Sequence, residues 1–167
     1  MKKLIKIAAA QLTPVFLNKE KTIEKACEAI SEAGKNGAEL IVFPEAFISG
    51  YPDWVWLIPN SKGKMLNDLY VRLVENAISV PDDSTDKLCK SAKAAGINVV
   101  MGMNERNTDK SGASLYNSIL FISNEGKIAG IHRKLMPTGG ERLIWAQGNG
   151  TSLRAYDTSA GRIAGLI

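Results

Sequence analysis

Glu45 follows the apolar run IVFP, Lys134 follows IAGIHR, and Glu141 comes seven positions after that lysine. A carboxylate and an ammonium that meet in a cleft can do two kinds of chemistry. The carboxylate takes up or returns a proton, and the cation stabilises negative charge that develops on a reacting atom. Ligand sites of α/β sheets collect where strands run out into loops, so both groups can project into one cleft. A plainer reading competes, since a Glu before a loop is commonly solvated and an HRK triplet commonly ends a strand in water. Most of this charge sits in IHRKLMPTGGERLIW (131–145), which also holds the single histidine, His132, and a Pro-Thr-Gly-Gly turn. Mixed charge beside turn residues belongs at the surface or in a cleft.

Elements of regular structure must bring these groups together. LIKIAAA (4–10) is mostly apolar and predicts a first, central strand. Asn18 can cap a helix in which Ile23, Ala26, Cys27, Ile30 and Ala33 share one face, with Gly34 and Gly37 at its end. AELIVF (38–43) predicts a second buried strand, so the chain opens as β-α-β, a parallel pair with a right-handed crossover. Pro44, Gly50, Pro52 and Pro59 then punctuate a long loop that carries Tyr51, Trp54 and Trp56. Leu66, Leu69, Leu73, Val74 and Ala77 mark a helix, and Pro81, Asp82 and Asp83 start another that runs through Leu88, Ala92 and Ala95 to a Gly96 cap. INVVMGM (97–103) reads as a strand, followed by a turn at NTDKSG (107–112). LYNSILFI (115–122) and KIAGIHR (127–133) form a hairpin over SNEG, and TSLRAYD (151–157) and GRIAGLI (161–167) form a second one over Thr158, Ser159 and Ala160. The fold class is mixed α/β.

Composition narrows the function classes. At 167 residues the chain fits one domain that buries on the order of 70% of its unfolded surface. The 45% hydrophobic and 23% charged content excludes a disordered, collagen-like or disulfide-scaffold chain. A net charge of +4, with basic residues spread along the chain in KKLIK, KSAK and singly, does not point to nucleic acid. No G-x-G-x-x-G or G-x-x-x-x-G-K-[ST] run follows a strand, and GNGTS and TGGER are too short for phosphate loops. Lys6 and Gln11 interrupt the apolar start, which is too short for a membrane span or signal peptide, so a cytoplasmic protein is expected. Cys27 and Cys89 have no second Cys or His at ligand spacing, so no metal site is expected, and both read as reduced, buried thiols.

Longer motifs add a resemblance. LIVFPEAFISGYP resembles the glutamate motif of the nitrilase family, within the carbon–nitrogen hydrolases, and HRKLMPTGGERLIWAQGNG resembles that family's lysine motif. IKIAAAQL, LYNSILFISNEGKIAGIHRK and YDTSAGRIAGLI are similar to nitrilase segments too, so the likeness covers essentially the whole chain. GYPDWVW and PTGGERLIW resemble the nitrile-hydrolysing branch more than the amidase branch. The resemblance implies a four-layer α-β-β-α sandwich, of which this chain forms about the first half. It implies Glu45 as general base toward a cysteine thiol, Lys134 as the cation for the anionic intermediate, and Glu141 as a second glutamate that holds the lysine and the reacting groups. It implies Tyr51 and Trp54 as substrate-pocket residues and His132 as a hydrogen-bonded scaffold residue. No metal or organic cofactor is required, the substrate is a small-molecule nitrile, and a homo-oligomer is expected.

The sequence departs from the family pattern at its end. The family's cysteine follows a strand like GRIAGLI, and the sequence stops at Ile167, one position short of it. Cys27 and Cys89 fall on helices and cannot replace it. Residues 1–167 are therefore read as the N-terminal part of a single domain, with the thiol supplied from beyond Ile167. A separate or cleaved C-terminal half, a sequence cut at a modified cysteine, and a true truncation all fit that ending; the first two are preferred, because half a sandwich exposes a large apolar sheet face. Alternative functions are a non-catalytic fragment or pseudoenzyme that binds a partner or a small carbonyl compound, and an amidase of the same superfamily.

Overall fold

The opening β-α-β unit folds as its pattern predicts. A computed structural model, which describes residues 4–108 and 112–167, pairs β1 (Ile7–Ala9) in parallel with β2 (Leu40–Val42) across helix α1 (Lys19–Lys35). The Asn18 side chain accepts the Lys21 N–H at the start of α1. Ile23, Ala26, Ile30 and Ala33 are buried along one face of the helix. The helix runs through Gly34, which lies against Ala95 of a later helix, and stops at Asn36 and Gly37, the glycine taking the left-handed conformation (φ 75°) as expected of a helix end.

Beyond β2 come one turn of helix α2 (Trp54–Leu57), within the stretch whose prolines and glycine predict a loop, and the longer α3 (Gly63–Asn76) and α4 (Asp83–Ala95). Asp82 and Thr85 form a reciprocal capping box at the start of α4, and Gly96 ends it in the left-handed conformation, as expected. The strands β3 (Asn98–Arg106), β4 (Leu115–Ile122) and β5 (Ile128–Arg133) complete a sheet ordered β1-β2-β3-β4-β5. β2 and β3 are parallel, and β3–β4 and β4–β5 are antiparallel, so β5 runs in the direction of β2 and β3. The NTDKSG turn falls partly outside the described residues.

Alternation along the strands gives the sheet two faces. Ile41, Val99, Met101, Leu120 and Ile122 point toward α1 and α4 and form the main core with Ile23, Ile30, Leu88 and Ala92. The opposite face, with Ile119 and Phe121, receives a short hairpin of β6 (Tyr156–Thr158) and β7 (Gly161–Ile163). The Tyr156 ring lies 4.6 Å from the Phe121 ring, and Gly165 lies against Ile119 and Phe121.

Three expectations need correction. Among the described residues β1 stands at the edge of the sheet and not at its centre, with β2 its one partner there and Ile7 59% exposed. Apolar content cannot report which side of a strand is paired. The second hairpin is shorter than the runs 151–157 and 161–167, because Gly150–Ser152 form a 3₁₀ turn that replaces the start of its first strand. Cys27 and Cys89 are half-buried on the helices and not core thiols; partial burial pushes both thiols up. No described helix is long and apolar enough to cross a membrane.

Candidate active site

The path of residues 44–50 over the sheet places Glu45. The Phe43 N–H donates to Val100 O at 2.9 Å and the Ile48 N–H donates to Gly102 O at 3.1 Å, so the loop follows β3. Only glycine permits this at position 102, where a Cβ would stand 2.0 Å from the carbonyl oxygen of Pro44. Ala46 and Ser49 hold φ of 48° and 78°, left-handed values that persist only where surroundings over-determine them. Here the Ser49 hydroxyl donates to Asn76 O, and Asn104 donates through Nδ2 to Ile48 O and Gly50 O at 3.1 and 2.9 Å. Asn104 Oδ1 accepts the Trp145 indole N–H at 2.8 Å, which ties this loop to the segment after Glu141.

Lys134 leaves the end of β5 on the sheet face that bears Ile119. Its N–H donates to Asn117 O at 2.8 Å and its carbonyl accepts from Gly148 at 2.9 Å. Glu141 lies in a 3₁₀ turn, Gly139–Leu143, and its Oε2 accepts the Thr138 N–H at 2.6 Å. The two segments converge on the lysine. Lys134 Nζ stands 3.2 Å from Glu45 Oε1, 3.1 Å from Glu141 Oε1 and 2.9 Å from Glu141 Oε2. Lys134 and Glu141 are buried, at 9% and 4% exposure, while the Glu45 side chain is 42% exposed. The Tyr51 hydroxyl donates to Glu141 Oε1 at 2.7 Å.

Electrostatics keep the group charged. Burial pulls the Lys134 ammonium down, but the hydrogen bonds and charges of Glu141 and Glu45 outweigh it and hold its pKa above the ordinary lysine value. Burial pushes the Glu141 carboxyl up, and the Thr138 N–H, the Tyr51 hydroxyl and Lys134 together bring it below the usual carboxylate range. Burial, followed by the hydrogen bond to Glu141, has the Tyr51 phenol pushed up to about 12, so it stays a donor. A fixed ammonium between two carboxylates, one of them open to solvent, can move a proton at the open carboxylate and stabilise an anion beside the cation.

The other residues singled out in the sequence occupy different surroundings. Tyr51 joins the cluster through Glu141 and packs edge-on to Trp145, with ring centroids 5.4 Å apart. Trp54 is buried in a second core cluster with Leu17, Ala46 and Leu73, edge-on to Phe16 at 5.7 Å. Trp56 covers the Gly139–Gly140 turn that leads to Glu141, a contact sequence spacing did not indicate. His132 is buried, its Nδ1 stands 3.2 Å from Ser152 Oγ, and burial holds its imidazole below the ordinary value. Sequence reasoning also missed Asn117, whose Nδ2 donates to Glu45 Oε1 at 2.6 Å, and Glu105, which pairs with Arg133 and accepts from Ser118 Oγ at 2.7 Å. The signal available was a polar residue inside an apolar strand pattern. No group of three His, Cys, Asp or Glu among the described residues could hold a metal ion.

Residues 6–167 match the family profile described as carbon–nitrogen hydrolase. The chain is 41% identical to a nitrilase 2 from an unknown prokaryotic organism, covering 97% of this chain and 50% of that protein. It is 41% identical to an aliphatic nitrilase of Rhodococcus rhodochrous, over 97% of this chain and 41% of that protein, and 38% identical to nitrilase 2 of Arabidopsis thaliana, over 98% and 48%. The chain thus spans about half the length of the curated relatives it matches. Among solved structures, an amidase from Nesterenkonia sp. superposes with a TM-score of 0.63 at 18% identity, over 87% of this chain and 48% of that one, a likeness of fold. A variant of that amidase carries the acetamide moiety of fluoroacetamide on its active-site cysteine.

Proposed function

The chain belongs to the carbon–nitrogen hydrolase family, and from that premise we propose that residues 1–167 are the N-terminal part of a nitrilase domain, bearing all of its acid–base and cationic groups but not its thiol. The observation that carries this reading is the buried Lys134 ammonium held at 2.9–3.2 Å by Glu45 and Glu141. Identities of 41% to nitrilases across nearly the whole chain support the substrate class.

A nitrile carbon is a weak electrophile and calls for a thiolate. In the proposed reaction Glu45 takes the proton of a cysteine supplied from beyond Ile167, and sulfur adds to the nitrile carbon. The electron pair displaced onto nitrogen is stabilised by Lys134 and then protonated, which gives a thioimidate. Water adds with Glu45 as base, ammonia leaves with the returned proton, and a thioester remains. A second water releases the carboxylic acid and the thiol, so one nitrile and two waters give one acid and one ammonia. Glu141 keeps Lys134 charged and in place, and Tyr51 orients Glu141 and borders the substrate. Trp54 supports the loop from beneath, and His132 is scaffold. By the same resemblance the complete protein self-associates and needs no metal or organic cofactor.

Mass spectrometry of the complete protein after incubation with a nitrile or the corresponding amide tests this. An acyl adduct on a cysteine that follows residue 167, formed from the nitrile, is expected. An adduct on Cys27 or Cys89, or turnover of the amide alone, would overturn the assignment.

A further inference from the structure

Asn117 sits 1% exposed in β4, on the sheet face it shares with Leu115 and Phe121, where an apolar side chain would leave no polar atom stranded. Its amide has one orientation open to it. Facing a carboxylate, Oδ1 would set oxygen against oxygen, so Nδ2 must point to Glu45, and it does so at 2.6 Å from Oε1, the short length of a charge-assisted bond. That orientation turns Oδ1 away, and among the described residues Asn117 Oδ1 is the buried side-chain atom left with no hydrogen-bond partner. Burying an unpaired acceptor is unfavourable, so the Nδ2 contact must offset it. The same residue's carbonyl accepts the Lys134 N–H at 2.8 Å, so Asn117 holds the lysine by its backbone and the glutamate by its side chain. Lys134 Nζ also takes Oε1, at 3.2 Å, whereas Oε2 has no partner among the described residues and belongs to the most exposed side chain of the group.

We infer that Asn117 is a positioning residue that gives the two oxygens of Glu45 different parts: with Lys134 it saturates Oε1, and it thereby leaves Oε2 as the oxygen that exchanges the proton. The inference rests on the reading of Glu45 as general base. Without Asn117 the carboxylate can turn and present either oxygen to Lys134, and the reacting oxygen loses its fixed direction.

The test uses the complete protein and three variants: Asn117→Asp, Glu45→Gln, and the exchange Glu45→Gln with Asn117→Asp. Asn117→Asp removes the donor at constant shape and sets two carboxylates together. It is expected to lower kcat for nitrile hydrolysis at least about tenfold with KM held within about threefold, a split that marks a lost transition-state interaction, and to lower Tm at neutral pH. The exchange restores the hydrogen bond with donor and acceptor reversed, so its Tm should rise above that of Asn117→Asp while it stays inactive. Unchanged kcat in Asn117→Asp, or an exchange variant no more stable than Asn117→Asp, would overturn the inference. Full activity in Glu45→Gln would instead overturn the proposed function, and the role of Oε2 with it, whatever the Tm comparison shows.

Discussion

At the scale of residues, Glu141 explains how a buried lysine stays charged. Its carboxyl is held below the ordinary carboxylate range in the folded chain, so between the folded and unfolded values the unfolded chain binds more protons and stability rises with pH. The stabilisation that wild type gains over Glu141→Gln should therefore be complete above about pH 5 and shrink as pH falls through the acid range. Urea unfolding midpoints of both proteins from neutral pH to about pH 3 check this, and a gap independent of pH would count against the pairing. That Glu45 and Lys134 could meet was legible because charge beside a strand end is conspicuous, whereas Glu141 joined them only through the resemblance of the motif around it to a known family. Asn117 and Asn104 were not, because an Asn within an apolar run reads as an interruption. Their partners, Glu45 and the Ile48–Gly50 carbonyls, lie 72 and up to 56 positions away and become neighbours only in the folded sheet.

At the scale of elements, the site depends on a loop laid across β3. Gly102 sets that approach, since a methyl group there meets backbone, which cannot swing aside as a flexible side chain can. Gly102→Ala should destabilise the protein by about 1–3 kcal/mol through overpacking. It should also push Pro44 and Glu45 outward, and a misplacement of about 1 Å can cost on the order of 100-fold in rate. Thermal unfolding and a crystal structure of the variant would show both, and an unmoved loop at full stability would contradict the assigned role. Periodicity found α1, α3, α4 and the β4–β5 hairpin, because each has a clear apolar face and turn residues at its ends. It did not place β1 at the edge it occupies among the described residues, because alanines and isoleucines look the same at a sheet's edge as at its centre, and it extended the last hairpin into Leu153–Ala155, which form no strand.

At the scale of the whole molecule, the chain presents one helical layer, one sheet and a partial cover on the sheet's second face, and it spans about half the length of its curated relatives. Leu4, Leu57, Leu143 and Leu166 are each more than 70% exposed. The fold class was legible because β-α-β and hairpin patterns are local. The pairing beyond β1 was not, because it depends on residues distant in sequence. If Glu45 and Lys134 act together on a nitrile, ammonia release by the complete protein depends on both. Wild type should release ammonia from a nitrile, and Lys134→Ala and Glu45→Gln, each still folded by circular dichroism, should fall to the background rate. Undiminished release by either folded variant would contradict it.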